Sequence, residues 1–387
     1  MSYPIVDSDT HINEPPDIWQ DRVAKRFKER APKMVKAEHG GIAWSFENGE
    51  KLNSISPTCN VLGISAVQWT LFCDDFFKLS PGAYVPKERF KDMAIDMIDI
   101  HVLYPTYVMG GAQIYSRKDR ELQLACVRAY NDWISEFSSA NPEKLWALAT
   151  LPVTGVEDAM DEARRVKDLP GVKGIQLTAF PNGHETPRHD ADDPFWSLIE
   201  ELDIPCTIHV GFQDGGEIEE MGAAEAMKDT MAKLTLPRLN TGRQAVPTIP
   251  ILSHFILGGV FERHPKLRLG TAEVGIGWLP FFMEQSDFNY IRHRFWSKGH
   301  IDKMPSEYVR SNVSATFQED YYGLRNRDLM LNCITWSSDY PHCGTDWPNS
   351  KTSIKNQMRG IPDDEQQKIL SSNAHRFFGV KMPNGGA

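Results

Sequence analysis

Short apolar runs alternate with longer amphipathic stretches along this chain, and that alternation predicts repeated strand-then-helix units. Ile5 and Val6 lead into Asp7-Ser8-Asp9-Thr10-His11, a short strand with a polar end. Further strand cores are predicted at residues 101–105, 145–151, 172–177, 205–210, 267–273, 312–317 and 333–338. Helical periodicity is predicted over residues 87–97, 119–137, 156–167 and 193–202. Repeated β-then-α order implies a mainly parallel sheet. An open doubly wound sheet calls for a glycine-rich phosphate loop after the first strand, and Asp9-Thr10-His11 is nothing like one. The expectation is therefore an α/β fold, a distorted (β/α)₈ TIM barrel.

Two segments break the alternation and read as insertions after strands 1 and 5. The first covers about residues 35–85, where Asn48-Gly49 between alternating residues signals a type I′ hairpin. Trp69, Phe72 and Phe76 in it line an apolar pocket or, more plainly, form a local core. The second covers residues 211–245, directly after the strand carrying His209, with Met221, Met227 and Met231 expected to pack under a lid. Loops after strand ends lie at the catalytic face of a barrel. Residues 1–380 are expected to form one barrel domain and 381–387 a tail. A length of 387 residues exceeds the roughly 250 of a bare barrel and suits one with insertions.

Composition narrows the class of partner. Hydrophobic residues are 41% and charged residues 24%, an ordinary globular balance, and the formal net charge is −10. An acidic excess argues against a nucleic-acid footprint. No apolar run approaches the roughly 20 residues that span a bilayer. The six cysteines are scattered with no CxxC pair, which fits reduced thiols. The opening MSYPIVDSDTH lacks the layout of a signal peptide. The expectation is a cytoplasmic protein acting on a small molecule. A homo-oligomer is expected, with a hetero-oligomer containing a related subunit as the alternative.

Candidate chemistry sits at the strand ends. Alternate strand residues share a face, so Asp9 and His11 point the same way. His209 closes the apolar run from Pro205, and Asp339 closes Cys333 to Ser338. Taken singly, each reads as a structural residue. In a barrel the C-terminal strand ends converge, so Asp9, His11, His209 and Asp339 become neighbours. Two imidazoles and two carboxylates suit zinc, manganese, iron or cobalt. Glu14 and Glu273 are candidate ligands for a second ion. His254, in an apolar helical run, is a further catalytic candidate against a core role, and His342 a partner of Asp339 against a loop role. Arg128, Asn131 and Asp132 read as structural.

The order of motifs now resembles a known family. Asp7 to Pro15, Val102-Leu103-Tyr104-Pro105-Thr106 and Arg128-Ala129-Tyr130-Asn131-Asp132-Trp133 come first, followed by Gly174 to Leu177. Gly259 to Pro265, Trp336 to His342 and Asn373 to Phe377 complete the set. Together they resemble the amidohydrolase superfamily, in the branch containing aminocarboxymuconate-semialdehyde decarboxylase. The resemblance implies a distorted (β/α)₈ barrel holding a divalent metal, with His209 as the fifth-strand histidine and Asp339 as the eighth-strand aspartate. Asp9 takes the place of the usual His or Glu of the first-strand motif. Glu273 stands where the decarboxylases carry a sixth-strand histidine, so no neutral imidazole donor is supplied there.

Because of Glu273, the leading expectation is a metal-dependent hydrolase of a small organic carboxylate or amide-like substrate. Asp339 would act as base on metal-activated water, with Glu273 assisting. The alternatives are a non-oxidative decarboxylase of a small aromatic acid, a dinuclear oxygen-activating enzyme and a non-catalytic partner subunit.

Overall fold

The computed structural model describes residues 3–36, 41–46, 51–54, 60, 62, 73–108, 119–182, 191–210, 245–297 and 299–383. Eight parallel strands follow one another in spatial order. They are β1 (Val6–His11), β5 (Ile100–Tyr104), β6 (Leu145–Thr150), β7 (Val172–Leu177), β8 (Cys206–His209), β9 (Leu269–Ala272), β10 (Val313–Phe317) and β11 (Ile334–Trp336). Helices lie between consecutive strands, as expected for a TIM barrel. The first strand runs through to His11 and is buried at every position, so its polar end is not solvated.

The first insertion contributes a three-stranded antiparallel sheet, β2 (Lys33–Lys36), β3 (Ile42–Phe46) and β4 (Lys51–Ser54). The β3–β4 pairing agrees with the predicted hairpin, while Asn48-Gly49 lies outside the described residues. Trp44 on β3 stacks edge-on against Trp19, 4.8 Å between centroids, and Phe76 is buried in the same core. That is the local-core reading; Trp69 and Phe72 lie outside the described residues, as do Met221, Met227 and Met231.

Local chemistry fixes the surrounding helices. The Asp119 side chain accepts from the Leu122 amide at 3.0 Å and caps helix Arg120–Ser139. Helix Val156–Lys167 carries Glu157 and Asp158 in its first turn and Arg164, Arg165 and Lys167 in its last, which suits its dipole. Asn131 binds the Glu162 carboxylate at 2.7 Å, Arg128 reaches it at 3.3 Å, and Asp132 pairs with Arg165 at 2.6 Å. All three residues thus tie one helix to the next, the structural role expected of them. Inside the barrel, Gly270 lets β9 approach Thr207 and Phe377, since a Cβ there would stand 2.8 Å from the Thr207 methyl.

Closure of the barrel sets the geometry of everything above it. The Asp339 amide donates to the Asp9 carbonyl at 3.0 Å and the His11 amide to the Tyr340 carbonyl at 2.5 Å. Asp7 accepts from both the amide and the hydroxyl of Ser338. The fully buried Arg89 clamps this seam from helix Pro86–Asp96. Its guanidinium donates to the His11 carbonyl at 2.7 Å, the Thr10 hydroxyl at 2.6 Å and His101 Nδ1 at 2.9 Å. It also lies 4.2 Å from the centroid of the Tyr340 ring. Removing one member of a buried charged network leaves its partners unsatisfied. Arg89→Met is therefore expected to lower stability by about 3 kcal/mol, read by urea denaturation; a loss below about 0.5 kcal/mol would show that the clamp is dispensable.

Candidate metal centre

The strand ends bring the four expected residues together. His11 Nε2 lies 3.6 Å from Asp9 Oδ1 and 3.4 Å from Asp339 Oδ1. His209 Nε2 lies 3.4 Å from Asp9 Oδ1 and 3.7 Å from Glu273 Oε2. The donor atoms of Asp9, His11 and His209 all fall within 4.8 Å of one another, as do those of His11, Asp339 and His342. Both Asp9 oxygens and the Nε2 atoms of His11 and His209 are buried with no hydrogen-bond partner of good geometry among the described residues. Buried polar atoms without partners are costly, and a cation among them removes that cost.

The histidine tautomers agree with this reading. His11 Nδ1 lies 2.8 Å from the Pro105 carbonyl and His209 Nδ1 3.2 Å from the Val210 carbonyl. A carbonyl only accepts, so each Nδ1 carries hydrogen and each Nε2 is aimed into the cluster. Burial, with His342 and His209 nearby, holds His11 well below the usual histidine range. For His209, burial is outweighed by the Asp9 carboxylate, and its pKa rises to about 9. Burial also raises Asp9, with His209 opposing.

Glu273 follows β9 and Asp339 follows β11, and both have left-handed backbone, with φ of 57° and 59°. Such conformations cost roughly 1–3 kcal/mol each and gather at functional sites. Burial and the neighbouring Asp339 carboxylate push Glu273 up to about 7.

His342 was singled out from the sequence only as a candidate partner of Asp339. Its Nδ1 stands 3.0 Å from Asp339 Oδ1, its Nε2 3.2 Å from the Thr106 hydroxyl, and its ring stacks on His11 at 3.8 Å. Burial lowers its pKa, but Asp339 outweighs that and holds it above the usual range. Arg89 went unnoticed in the sequence. An arginine in an amphipathic helix reads as a surface residue, and only the packing against β1 reveals it.

Two candidates are placed elsewhere. Glu14 accepts from the amides of Tyr107 at 2.9 Å, Val108 at 3.2 Å and Thr106 at 3.3 Å. Those three bonds account for its buried carboxylate without a second metal. His254 belongs to neither donor group; its ring stands edge-on to Phe180, 5.5 Å between centroids, in helix Ala245–Leu257. The catalytic role expected of it finds no support in this placement.

Known proteins are similar to this chain in sequence and fold. The Amidohydrolase family model matches residues 86–380. The chain belongs to the amidohydrolase family. This amidohydrolase is 27% identical over 323 residues to 2-amino-3-carboxymuconate-6-semialdehyde decarboxylase of Dictyostelium discoideum, covering 79% of each chain. It is 22% identical over 301 residues to gamma-resorcylate decarboxylase of a Rhizobium strain, covering 74% of this chain and 86% of that one. In fold it is similar to an amidohydrolase from Mycobacterium avium subsp. paratuberculosis, with a TM-score of 0.74 at 19% identity over 98% and 99% of the two chains. It is also similar to a 5-carboxyvanillate decarboxylase from Novosphingobium aromaticivorans, solved with bound manganese, with a TM-score of 0.64 at 16% identity over 98% of each chain. Family membership and the donor set mark a metal-dependent enzyme, a hydrolase or a carboxy-lyase, so the non-catalytic subunit is not retained.

Elemental analysis of the purified protein is expected to give about one equivalent of a divalent transition metal, with Asp9→Ala and His209→Ala each losing most of it. Retention of full metal content in both variants would remove this cluster as the site. A second prediction concerns Glu14, which burial raises from 4.5 to about 7. Between those values the folded state holds a proton that the unfolded state releases, so stability falls as pH rises from 4.5 to 7 and then levels. The loss amounts to about 3 kcal/mol. Denaturation across this window is expected to show a shallower slope in Glu14→Gln; an unchanged slope would place the proton elsewhere.

Proposed function

We propose that this amidohydrolase is a metal-dependent non-oxidative decarboxylase of a small aromatic carboxylic acid. The observation that carries the reading is the buried cluster of Asp9, His11, His209 and Asp339, in a chain whose curated relatives over most of its length are decarboxylases. Hydrolysis, the leading expectation from Glu273 alone, becomes the second reading.

Asp9, His11, His209 and Asp339 would hold the ion. The chemistry a divalent ion supplies there is Lewis acidity toward anionic oxygens. In the reaction the bond from ring carbon to carboxylate breaks, its electron pair stays on the ring carbon, that carbon takes a proton, and carbon dioxide leaves. The chain's task is to hold that proton at a fixed atom in a water-poor site. Glu273 suits the task, since a carboxyl buried beside Asp339 keeps its proton more readily than a free one. It thereby offers a donor where the sixth-strand histidine is missing. His342, between Thr106 and Asp339, orients the Asp339 carboxylate. The hydrolytic reading assigns Glu273 the opposite task, taking a proton from water.

The test is an assay of the metal-loaded enzyme on hydroxybenzoates and on aryl esters and amides, following carbon dioxide and acid release separately. Carbon dioxide release is expected, with kcat lowered about 10²–10⁴-fold in Glu273→Gln while metal content stays intact. Acid release from esters or amides without carbon dioxide from any acid would overturn decarboxylation in favour of hydrolysis.

A further inference from the structure

The seventh barrel strand, β10, ends in a row of polar side chains of which one has no use in the fold. Ser314 and Thr316 line the barrel interior beside Ser8, Thr207 and Thr335. Alternate strand residues share a face, so Gln318 continues that row where the strand stops. The residues on either side of it are engaged. The Thr316 hydroxyl accepts from the Glu273 amide at 3.1 Å. One Asp320 oxygen accepts from the Ile276 amide at 2.8 Å and the Gly277 amide at 2.6 Å, and the other from the Gly323 amide at 2.7 Å. Gln318 therefore sits on backbone pinned at both sides to the loop that carries Glu273. Its own Nε2 is buried with no hydrogen-bond partner among the described residues.

Gly344 locates that amide. A Cβ there would stand 3.0 Å from Gln318 Nε2 and 3.0 Å from Asp339 Oδ2. Gly344 has no left-handed backbone to call for glycine, so space is the reason for one. The loop after β11 rests on both atoms, and amide and carboxylate flank one spot. Asp339 Oδ1 is turned to His11 and His342, which puts Gln318 on the Oδ2 side, away from them.

A buried donor without an acceptor is costly, and one held on a fixed backbone at the barrel mouth suits a ligand. The amide carries no charge, so it does not compete with the ion for a substrate carboxylate. It matches a hydroxyl, which donates and accepts as a side-chain amide does. Asp339 would hold the ion and stands beside Gln318, so the oxygen that the amide reaches lies next to the ion-bound carboxylate, on the adjacent ring carbon.

We propose that Gln318 determines substrate specificity, its Nε2 donating to a ring hydroxyl ortho to the substrate carboxylate. The site thereby selects ortho-hydroxylated aromatic acids over plain benzoates. This assignment rests on the reading of the substrate as an aromatic acid.

Titration calorimetry of the metal-loaded full-length enzyme with salicylate and with benzoate tests it. The wild type is expected to bind salicylate at least about tenfold more tightly, the discrimination of one buried hydrogen bond. Gln318→Met keeps the length of the side chain and removes the donor. It is expected to lose about tenfold in salicylate affinity and about twofold or less in benzoate affinity. Gln318→Leu removes the donor in a different shape and is expected to do the same. Far-UV circular dichroism and metal content report that each variant has folded with its site intact. A salicylate preference that survives in both variants would show that the ion alone reads the hydroxyl, and would overturn the proposal. Equal losses for the two acids would also overturn it, since Gln318 would then only shape the pocket. A wild type that binds neither acid and releases no carbon dioxide from any would instead sink the aromatic-acid reading, and this assignment with it.

Discussion

The candidate metal centre depends on the seam where the first and last barrel strands meet. The Asp339 amide on the Asp9 carbonyl and the His11 amide on the Tyr340 carbonyl set the register of that seam. Those two bonds involve three of the four proposed ligands, so the backbone that closes the barrel also assembles the site. Asp7 and Arg89 secure it from either side, the first by accepting from Ser338 and the second by spanning Thr10, His11, His101 and Tyr340. A buried arginine is costly in a core, and here three hydrogen bonds and an aromatic face compensate it.

Above the seam the electrostatics are crowded. Three carboxylates and three imidazoles share a small buried volume, and the consequences differ from residue to residue. Asp9 lifts His209 to about 9, while Asp339 helps to lift Glu273 to about 7. The backbone shows the same tension, since Glu273 and Asp339 both have positive φ without being glycine. Strain and opposed charge are tolerated together where chemistry needs a preorganised pocket. Glu273 is the residue on which the competing functional readings turn. Where the resemblance implies a histidine donor, a glutamate could match it only as the protonated acid, which burial beside Asp339 favours.

The alternation of apolar runs with amphipathic helices was enough to predict an eight-stranded barrel, because a parallel strand buried on both faces reads as a short continuous apolar run. Convergence of Asp9, His11, His209 and Asp339 was legible for the same reason, since each closes such a run and barrel strand ends meet on one face. Spacing also suggested His342, three residues past Asp339, though not its stacking on His11 or its bond to Thr106.

Other features were decided only by tertiary structure. Glu14 follows the first-strand motif as a second ligand might, yet it accepts three backbone amides, and nothing local in the sequence announces which loop a carboxylate will hold. His254 lies in an apolar run like His209, but a helix turned it onto Phe180 instead of into the barrel mouth. Arg89 carries a surface residue's signature and ends fully buried. Pattern along the chain reports which face of an element is apolar, and so by itself determined the barrel and the strand ends that carry the candidate ligands. The partners of a buried charge come from segments distant in sequence, so only the packed fold decided which charged groups gather at the candidate metal centre and which hold the barrel closed.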